Sequence, residues 1–280
     1  MTTKTTVQAN EWFSKGRRVH FDPQNKCIVS KKTTSTVSVF ERVANQLGSN
    51  KDANVRWLTM MPGFPDGSFG YAKVEELLNK SNKTGPRLYI EYVGQGDSDT
   101  PANYKYSTLE RADLVEAQWK AHGIRRTALV TFDYSSIVMM ELLKRQQNRL
   151  EKGLGLDTKI EHVLTINGGL FVDGHTHPWN TTPLLQVPVF GRMGTWFMQH
   201  STWVFNVMMK PLFSKEYKVT KEELREMENA IKRREGSAFV SRAAGFVTEH
   251  KRIGWDFLDV VKGASTKENR ITFDVVGSEK

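Results

Sequence analysis

The sequence predicts an α/β fold: a mostly parallel sheet with helices on both faces and a helical insertion late in the chain. Two observations carry this expectation. Strand-like apolar runs lead into a glycine or small-residue turn and then into a helical pattern, three times in succession, which is the rhythm of parallel βαβ units. That rhythm then breaks between residues 172 and 250, where aromatic and methionine residues accumulate.

The first unit is the apolar run Val55 to Met60, the turn MMPGFPDGSFGY (60–71) and a helical pattern from Tyr71 to Leu78. The second is RLYIEYV (87–93), a turn carrying Gly94 and Gly96 in IEYVGQGDSDTP, and a helix over Ser107 to His122. The third is TALVTFDYSSIVMMELLKRQ (127–146), with a strand over Thr127 to Phe132 and a helical pattern from Ile137. HVLTI (162–166), followed by NGGLF (167–171), and ITFDVVG (271–277) supply further strands, whereas SNKTGP (81–86) and GASTKEN (263–269) read as surface turns.

The third unit is the most informative. Its β-branched run stops at Phe132 and is followed by Asp133, Tyr134 and two serines. A sharp strand-to-helix turn with small neighbours lifts one side chain above the sheet, the arrangement of a nucleophile elbow, and Asp133 occupies the apex. The same Asp could instead cap the following helix by accepting free N–H groups of its first turn. Both readings stand on the sequence of this segment alone.

The ordered set PGFP (62–65), GQGDSD (94–99), FDYSS (132–136) and NGGLF (167–171) resembles the α/β-hydrolase fold. Within it the chain is similar to the aspartate-nucleophile branch, which includes epoxide hydrolases, haloalkane dehalogenases and the mesoderm-specific transcript proteins. The resemblance spans roughly residues 37 to 277 and is specific as an ordered set rather than motif by motif. It implies Asp133 as nucleophile, with the backbone N–H groups of Phe64 and Tyr134 as the oxyanion hole. It also implies an acid and a histidine beyond the strand 271–277, whereas the sequence reaches only Lys280. The expectation is therefore a shortened form of a longer chain, or a member that has lost hydrolytic turnover.

Departures from the branch's pattern point the same way. Pro62 and Phe132 stand where it places histidines, and Ser135 stands where it places the elbow glycine. Of the seven histidines, His122 and His162 read as structural, while His175 and His177 lie nearer the expected pocket, with Asp173 as a candidate relocated acid. In DGHTHP the alternation of Asp173, His175 and His177 would also put three potential ligands on one face of an extended segment. No partner cluster accompanies them, so no metal and no cofactor is expected.

The insertion at 172–250 is expected to be a helical cap over the pocket, with the remaining residues, 1–171 and 251–280, forming the hydrolase core. The cap carries Trp179, Phe190, Trp196, Phe197, Trp203 and Phe205, and the charged helix KEELREMENAIKRREG (221–236), for which Gly236 is the expected stop. Tyr217, Trp179 and Trp196 are the candidate substrate-binding residues. Epoxide hydrolases activate the ring oxygen with two cap tyrosines, and this cap has one; dehalogenases place Trp beside the nucleophile, and here the neighbour is Tyr134. The epoxide hydrolase pattern fits better of the two.

Composition bounds the remainder. A chain of 280 residues, 39% hydrophobic, can bury a sizeable core. The single Cys27 excludes an internal disulfide, and the polar start MTTKTTVQANEW has no signal-peptide core, so a cytoplasmic location is expected. Arg192, Gln199, His200 and Lys210 interrupt the apolar cap sequence, which leaves no span of ~20 apolar residues. Peripheral membrane contact through the cap stays open. The formal charge of +9 is scattered and interleaved with acids, which argues against nucleic acid. A small apolar molecule is the expected partner, either as the substrate of an epoxide hydrolase-like enzyme or as the ligand of a non-catalytic binding protein.

Overall fold

The computed structural model describes residues 6–45, 54–81, 85–169, 187–243, 245, 249, 253 and 256–277. Its strands are β1 (Arg17–Asp22), β2 (Cys27–Val29), β3 (Val37–Ala44), β4 (Arg56–Met61), β5 (Arg87–Ile90), β6 (Arg126–Phe132), β7 (Lys159–Ile166) and β8 (Thr272–Val276). They form one sheet in the order β2-β1-β3-β5-β4-β6-β7-β8. From β5 to β8 the strands are parallel; β1, β2 and β3 pair antiparallel at one end. The helix α1 (Ala9–Ser14) and the β1–β2 hairpin precede any motif read from the sequence.

The strand sequences explain why both faces of the sheet are covered. Along β4, Trp57 and Met61 enter one apolar cluster while Leu58 and Met60 enter the other. Leu88 and Ile90 of β5 likewise oppose Tyr89. Side chains alternate across a strand, so a near-continuous apolar run needs cover on both sides. On one face the cover is α3 (Thr108–Ala121) and α4 (Ser135–Glu151), through Val115, Trp119, Ile137 and Val138. On the other it is α1 and the turn leading into α2 (Ala72–Lys80), through Trp12, Phe13, Tyr71 and Ala72.

After β4 the chain passes to β5 on one side, then crosses to β6 on the other. In open parallel sheets, the crevice beyond the C-terminal strand ends at such a reversal is where ligands bind. Here those ends are Met61 and Phe132, which run directly into the two turns singled out above.

Among the described residues, β7 is followed by the helices α5 (Pro188–His200), α6 (Thr202–Met209), α7 (Lys221–Ile231) and α8 (Ser237–Ala243). Met198, Phe205, Met209, Leu224, Ile231 and Val240 form their shared core, and Phe64 packs against it from the sheet side. α8 faces two ways, since Phe239 belongs to the main core. A Thr220–Glu223 capping box starts α7. The helix ends earlier than expected: it stops at Ile231, Arg234 is left-handed (φ 45°), and Gly236 is itself helical. Arg233 and Arg234 both reach Asp97, at 3.2 and 3.1 Å, and a continuing helix would point consecutive side chains apart. α9 (Phe257–Ala264) then leads into β8.

One buried ion network anchors β5. The Arg87 side chain is fully buried and donates to Glu75 Oε2 (2.8 Å), Glu75 Oε1 (3.1 Å) and Asn79 Oδ1 (2.7 Å). Tyr89 Oη also donates to Glu75, and Arg42 stacks over Trp12 at 4.0 Å beside them. Burial raises the Glu75 carboxyl, but the bonds from Arg87 and Tyr89 outweigh it and hold the group below the usual range. Removing one partner of such a pair leaves an uncompensated buried charge. Arg87→Met should therefore lower unfolding stability by about 3–5 kcal/mol, and Arg87→Met with Glu75→Leu should recover part of that loss; denaturant titration of the three proteins checks both.

Candidate active site

β4 and β6 are hydrogen-bonded neighbours, so the turns that leave them lie side by side. Asp133 sits in the left-handed region (φ 50°), rare for a residue with a Cβ and a mark of over-determined surroundings. Its N–H donates to Ile166 O (3.0 Å), which ties the apex to β7. Its carbonyl accepts from Ser136 N (3.1 Å) and Ser136 Oγ (2.8 Å), which starts α4 immediately afterwards. Oδ2 of the Asp133 carboxylate accepts the Phe64 N–H at 3.0 Å. The residue at the apex of one turn thus bonds the backbone of the other.

The approach is close because Gly63 has no side chain. A Cβ there would lie 2.5 Å from the Phe132 ring and 3.3 Å from Asp133 Cβ. Ser135, in the place of the elbow glycine, is fully buried, and its hydroxyl donates to Pro62 O (2.5 Å) and lies 2.8 Å from Tyr92 Oη. A serine is therefore accommodated by fastening the two turns together. Gln95 Nε2 adds a bond to Gly63 O at 2.8 Å.

Two carboxyls at this site were missed by the sequence reading. Glu91 is fully buried and accepts from Ser68 N (3.1 Å), Ser68 Oγ (2.7 Å) and Asp97 N (3.0 Å), joining the 62–71 turn to the 94–99 turn. Gly96 (φ 49°) permits this, since a Cβ there would lie 1.9 Å from Glu91 Oε2. A charge inside the apolar run RLYIEYV was the available signal. Asp66, partly buried two residues after Phe64, has a carboxyl that bonds its own backbone N–H. Burial, and then the charge of Asp133, push Asp66 up to about 7; burial also carries Glu91 to about 7 against its three donors.

Of the sequence-derived candidates, Asp133, Phe64 and Tyr134 come together. The Tyr134 ring is buried beneath the elbow, with Oη 3.0 Å from Thr108 Oγ1 and the Arg111 guanidinium 4.3 Å from its ring centre. Tyr217 belongs to a different cluster: it accepts from Lys73 and donates to Glu223 Oε1 (2.6 Å), beside a 280 Å³ cavity lined by Val7, Phe69, Phe213 and Met227. Trp196 lies on the outer side of α5, stacked on His200 at 4.6 Å. Trp179, Asp173, His175, His177 and His250 lie outside the described residues.

Each of the four described histidines has a partner outside the elbow. His20 meets Ser38 Oγ (3.1 Å), His122 meets Glu41 Oε1 (2.9 Å), His162 meets Asp274 Oδ2 (3.1 Å) and His200 meets Trp196 O (2.8 Å). Among the described residues no group of three or more His, Cys, Asp or Glu could hold a metal ion, and no helix is long and apolar enough to cross a membrane.

No family model matches the sequence. The chain is 28% identical over 204 residues to the mesoderm-specific transcript protein of Mus musculus, covering 70% of this chain, and equally to its Homo sapiens counterpart. It spans 56% of the length of these curated relatives. Among solved structures, an epoxide hydrolase from Vigna radiata superposes with a TM-score of 0.60 at 10% identity, covering 95% of this chain and 92% of that one. A haloalkane dehalogenase from Agrobacterium tumefaciens C58 gives 0.57 at 13% identity, covering 94% and 89%. The chain has the α/β-hydrolase fold.

The raised Glu91 carboxyl makes stability depend on pH. Its folded pKa, about 7, exceeds the ordinary 4.5, so the folded state holds the proton more tightly. The resulting stabilisation is fully present below about 4.5 and is lost as pH rises through about 7. A shift of this size corresponds to roughly 3 kcal/mol at most. Glu91→Gln should flatten the decline between pH 5 and 8 in denaturant titrations, while lowering stability at pH 5, where its amide would face the Asp97 N–H. An unchanged slope would assign the pH dependence to other groups.

Proposed function

We propose that this protein is an α/β-hydrolase of the aspartate-nucleophile type, acting on a small apolar electrophile of the epoxide class. The observation that carries this reading is the 3.0 Å bond from Phe64 N–H to Asp133 Oδ2, which joins the strained elbow to the turn after β4. The likeness to mesoderm-specific transcript proteins and the fold shared with epoxide hydrolases support it.

In the first step the second carboxylate oxygen of Asp133, Oδ1, attacks a ring carbon. The carbon–oxygen bond of the ring breaks, and an alkyl ester forms with an alkoxide on the adjacent carbon. That alkoxide takes its proton from Asp66, whose carboxyl, at about 7, is still largely protonated in mildly acidic solution. Tyr217 does not serve this role, because Lys73 and Glu223 engage it elsewhere. In the second step water adds to the ester carbonyl and gives a proton to the Asp66 carboxylate left by the first step, while the Phe64 and Tyr134 N–H groups stabilise the oxyanion that forms. Collapse expels the alkoxide, which takes the proton of the new carboxylic acid, so the diol leaves and the Asp133 carboxylate is restored.

A second reading, a binding protein without turnover, draws on the partners outside the elbow that the four described histidines have. Intact-mass measurement with a panel of epoxides separates the two. Turnover gives diol with only a transient adduct, and attack without turnover gives a persistent gain of one substrate mass. Neither should occur in Asp133→Asn, and a wild-type protein giving neither product nor adduct would leave the binding reading. The rate of ester formation should fall as pH rises through about 7, where Asp66 loses its proton. Asp66→Asn should slow attack by roughly 100-fold or more and abolish that inflection.

A further inference from the structure

Half of the large apolar side chains that the described residues expose lie between Val187 and Leu212, on α5, α6 and the turn that follows. A helix in a water-soluble domain normally turns its apolar stripe inward and its polar face outward. On α5 the buried stripe is Gly191, Thr195 and Met198, while Val189, Phe190, Met193, Trp196 and Phe197 are exposed. With 3.6 residues per turn, these two sets lie on opposite sides of the helix. On α6, Phe205 and Met209 join Met198 in the core these helices share, and Trp203 and Val207, one turn apart, are exposed. Trp203 is 73% exposed and Val189 72%, so this surface is open rather than grazed.

The charges on this surface are of one sign. From Val187 to Lys215 the sequence contains no Asp or Glu, and its basic residues Arg192, Lys210 and Lys215 are all exposed. An apolar strip carrying Trp and bordered by cations matches the boundary of an anionic bilayer: apolar groups enter the acyl region, indole rings sit at headgroup depth, and Lys or Arg meet phosphates. No described helix is long and apolar enough to span it. We propose that the outer faces of α5 and α6 dock the protein onto an anionic membrane surface, with Trp196 and Trp203 at headgroup depth and Arg192 and Lys210 against lipid phosphates. This placement is independent of the chemistry at Asp133.

The test is co-sedimentation of the full 280-residue chain with phosphatidylcholine vesicles, with and without phosphatidylserine. The expected result is binding that strengthens with phosphatidylserine, weakens with salt, and is accompanied by quenching of tryptophan fluorescence by brominated lipid. Trp196→Ser with Trp203→Ser should abolish the quenching, and Arg192→Glu with Lys210→Glu should weaken phosphatidylserine binding by roughly tenfold or more. All four side chains are exposed, and circular dichroism confirms that each pair still folds. Absence of binding to either vesicle, or binding unchanged in both pairs, overturns the proposal. So does a dimer in light scattering that the tryptophan substitutions convert to monomer, since the occupant of the face is then a second copy.

Discussion

The hydrogen bond from Phe64 N–H to Asp133 Oδ2 is the constraint around which this end of the molecule is organised. It requires two chain segments that leave adjacent parallel strands to meet within 3.0 Å, one in a conformation that residues with a Cβ rarely adopt. Neither turn could hold that geometry alone. The apex is fastened to β7 through Ile166, to Pro62 through the hydroxyl of Ser135, and to Gly63 by an approach that no Cβ would allow. Gln95 and Glu91 then fasten the second turn to the third. The positive φ of Asp133 persists because the surroundings over-determine it.

Sheet order explains why these turns meet. β4 lies between β5 and β6, so the three connections that leave their C-terminal ends share one crevice, and each carries the residues whose conformational demands were visible in the sequence. Helices α5 to α8 meet the crevice through single residues that serve two clusters. Phe64 touches both the main core and the core these helices share, and its ring lies 5.4 Å from that of Phe239, an α8 residue buried in the main core. Arg233 and Arg234 join this segment to Asp97 in the third turn.

The strands and turns from residue 55 onward were legible because period-two burial and glycine punctuation are local signals; it was the resemblance to α/β-hydrolases that set Asp133, Phe64 and Tyr134 together. The N-terminal hairpin was not, because β1 reads RRVHFD, with two arginines at its start and no continuous apolar run. Helix α7 was extended past its true end because KRRE is all helix-compatible in propensity, whereas the break at Arg234 accompanies a bond to an acid more than a hundred residues earlier. Tyr217 was read as a pocket residue from the resemblance and Trp196 from the aromatic composition of the segment, and neither carries information on which side of a helix faces in. The exposed stripe of α5 could have been read from its spacing, but the direction it faces depends on Gly191, Thr195 and Met198 being the buried side.

Asp66 and Glu91 illustrate how two carboxyls raised to a similar extent differ in their partners. Burial brings both to about 7. Glu91 is sealed from water and has three donors, each from one of two turns, so its position is accounted for by the architecture it maintains. Asp66 has no such set; it bonds its own backbone, stands beside the turn that contacts Asp133, and feels the charge of that carboxylate. Two acids close enough to interact cannot both ionise freely near neutrality, and in the reaction proposed above the one that retains its proton is the donor and the other the nucleophile. Their environments differ accordingly: Asp133 accepts the Phe64 N–H, and Asp66 has burial and a neighbouring negative charge that favour its neutral form.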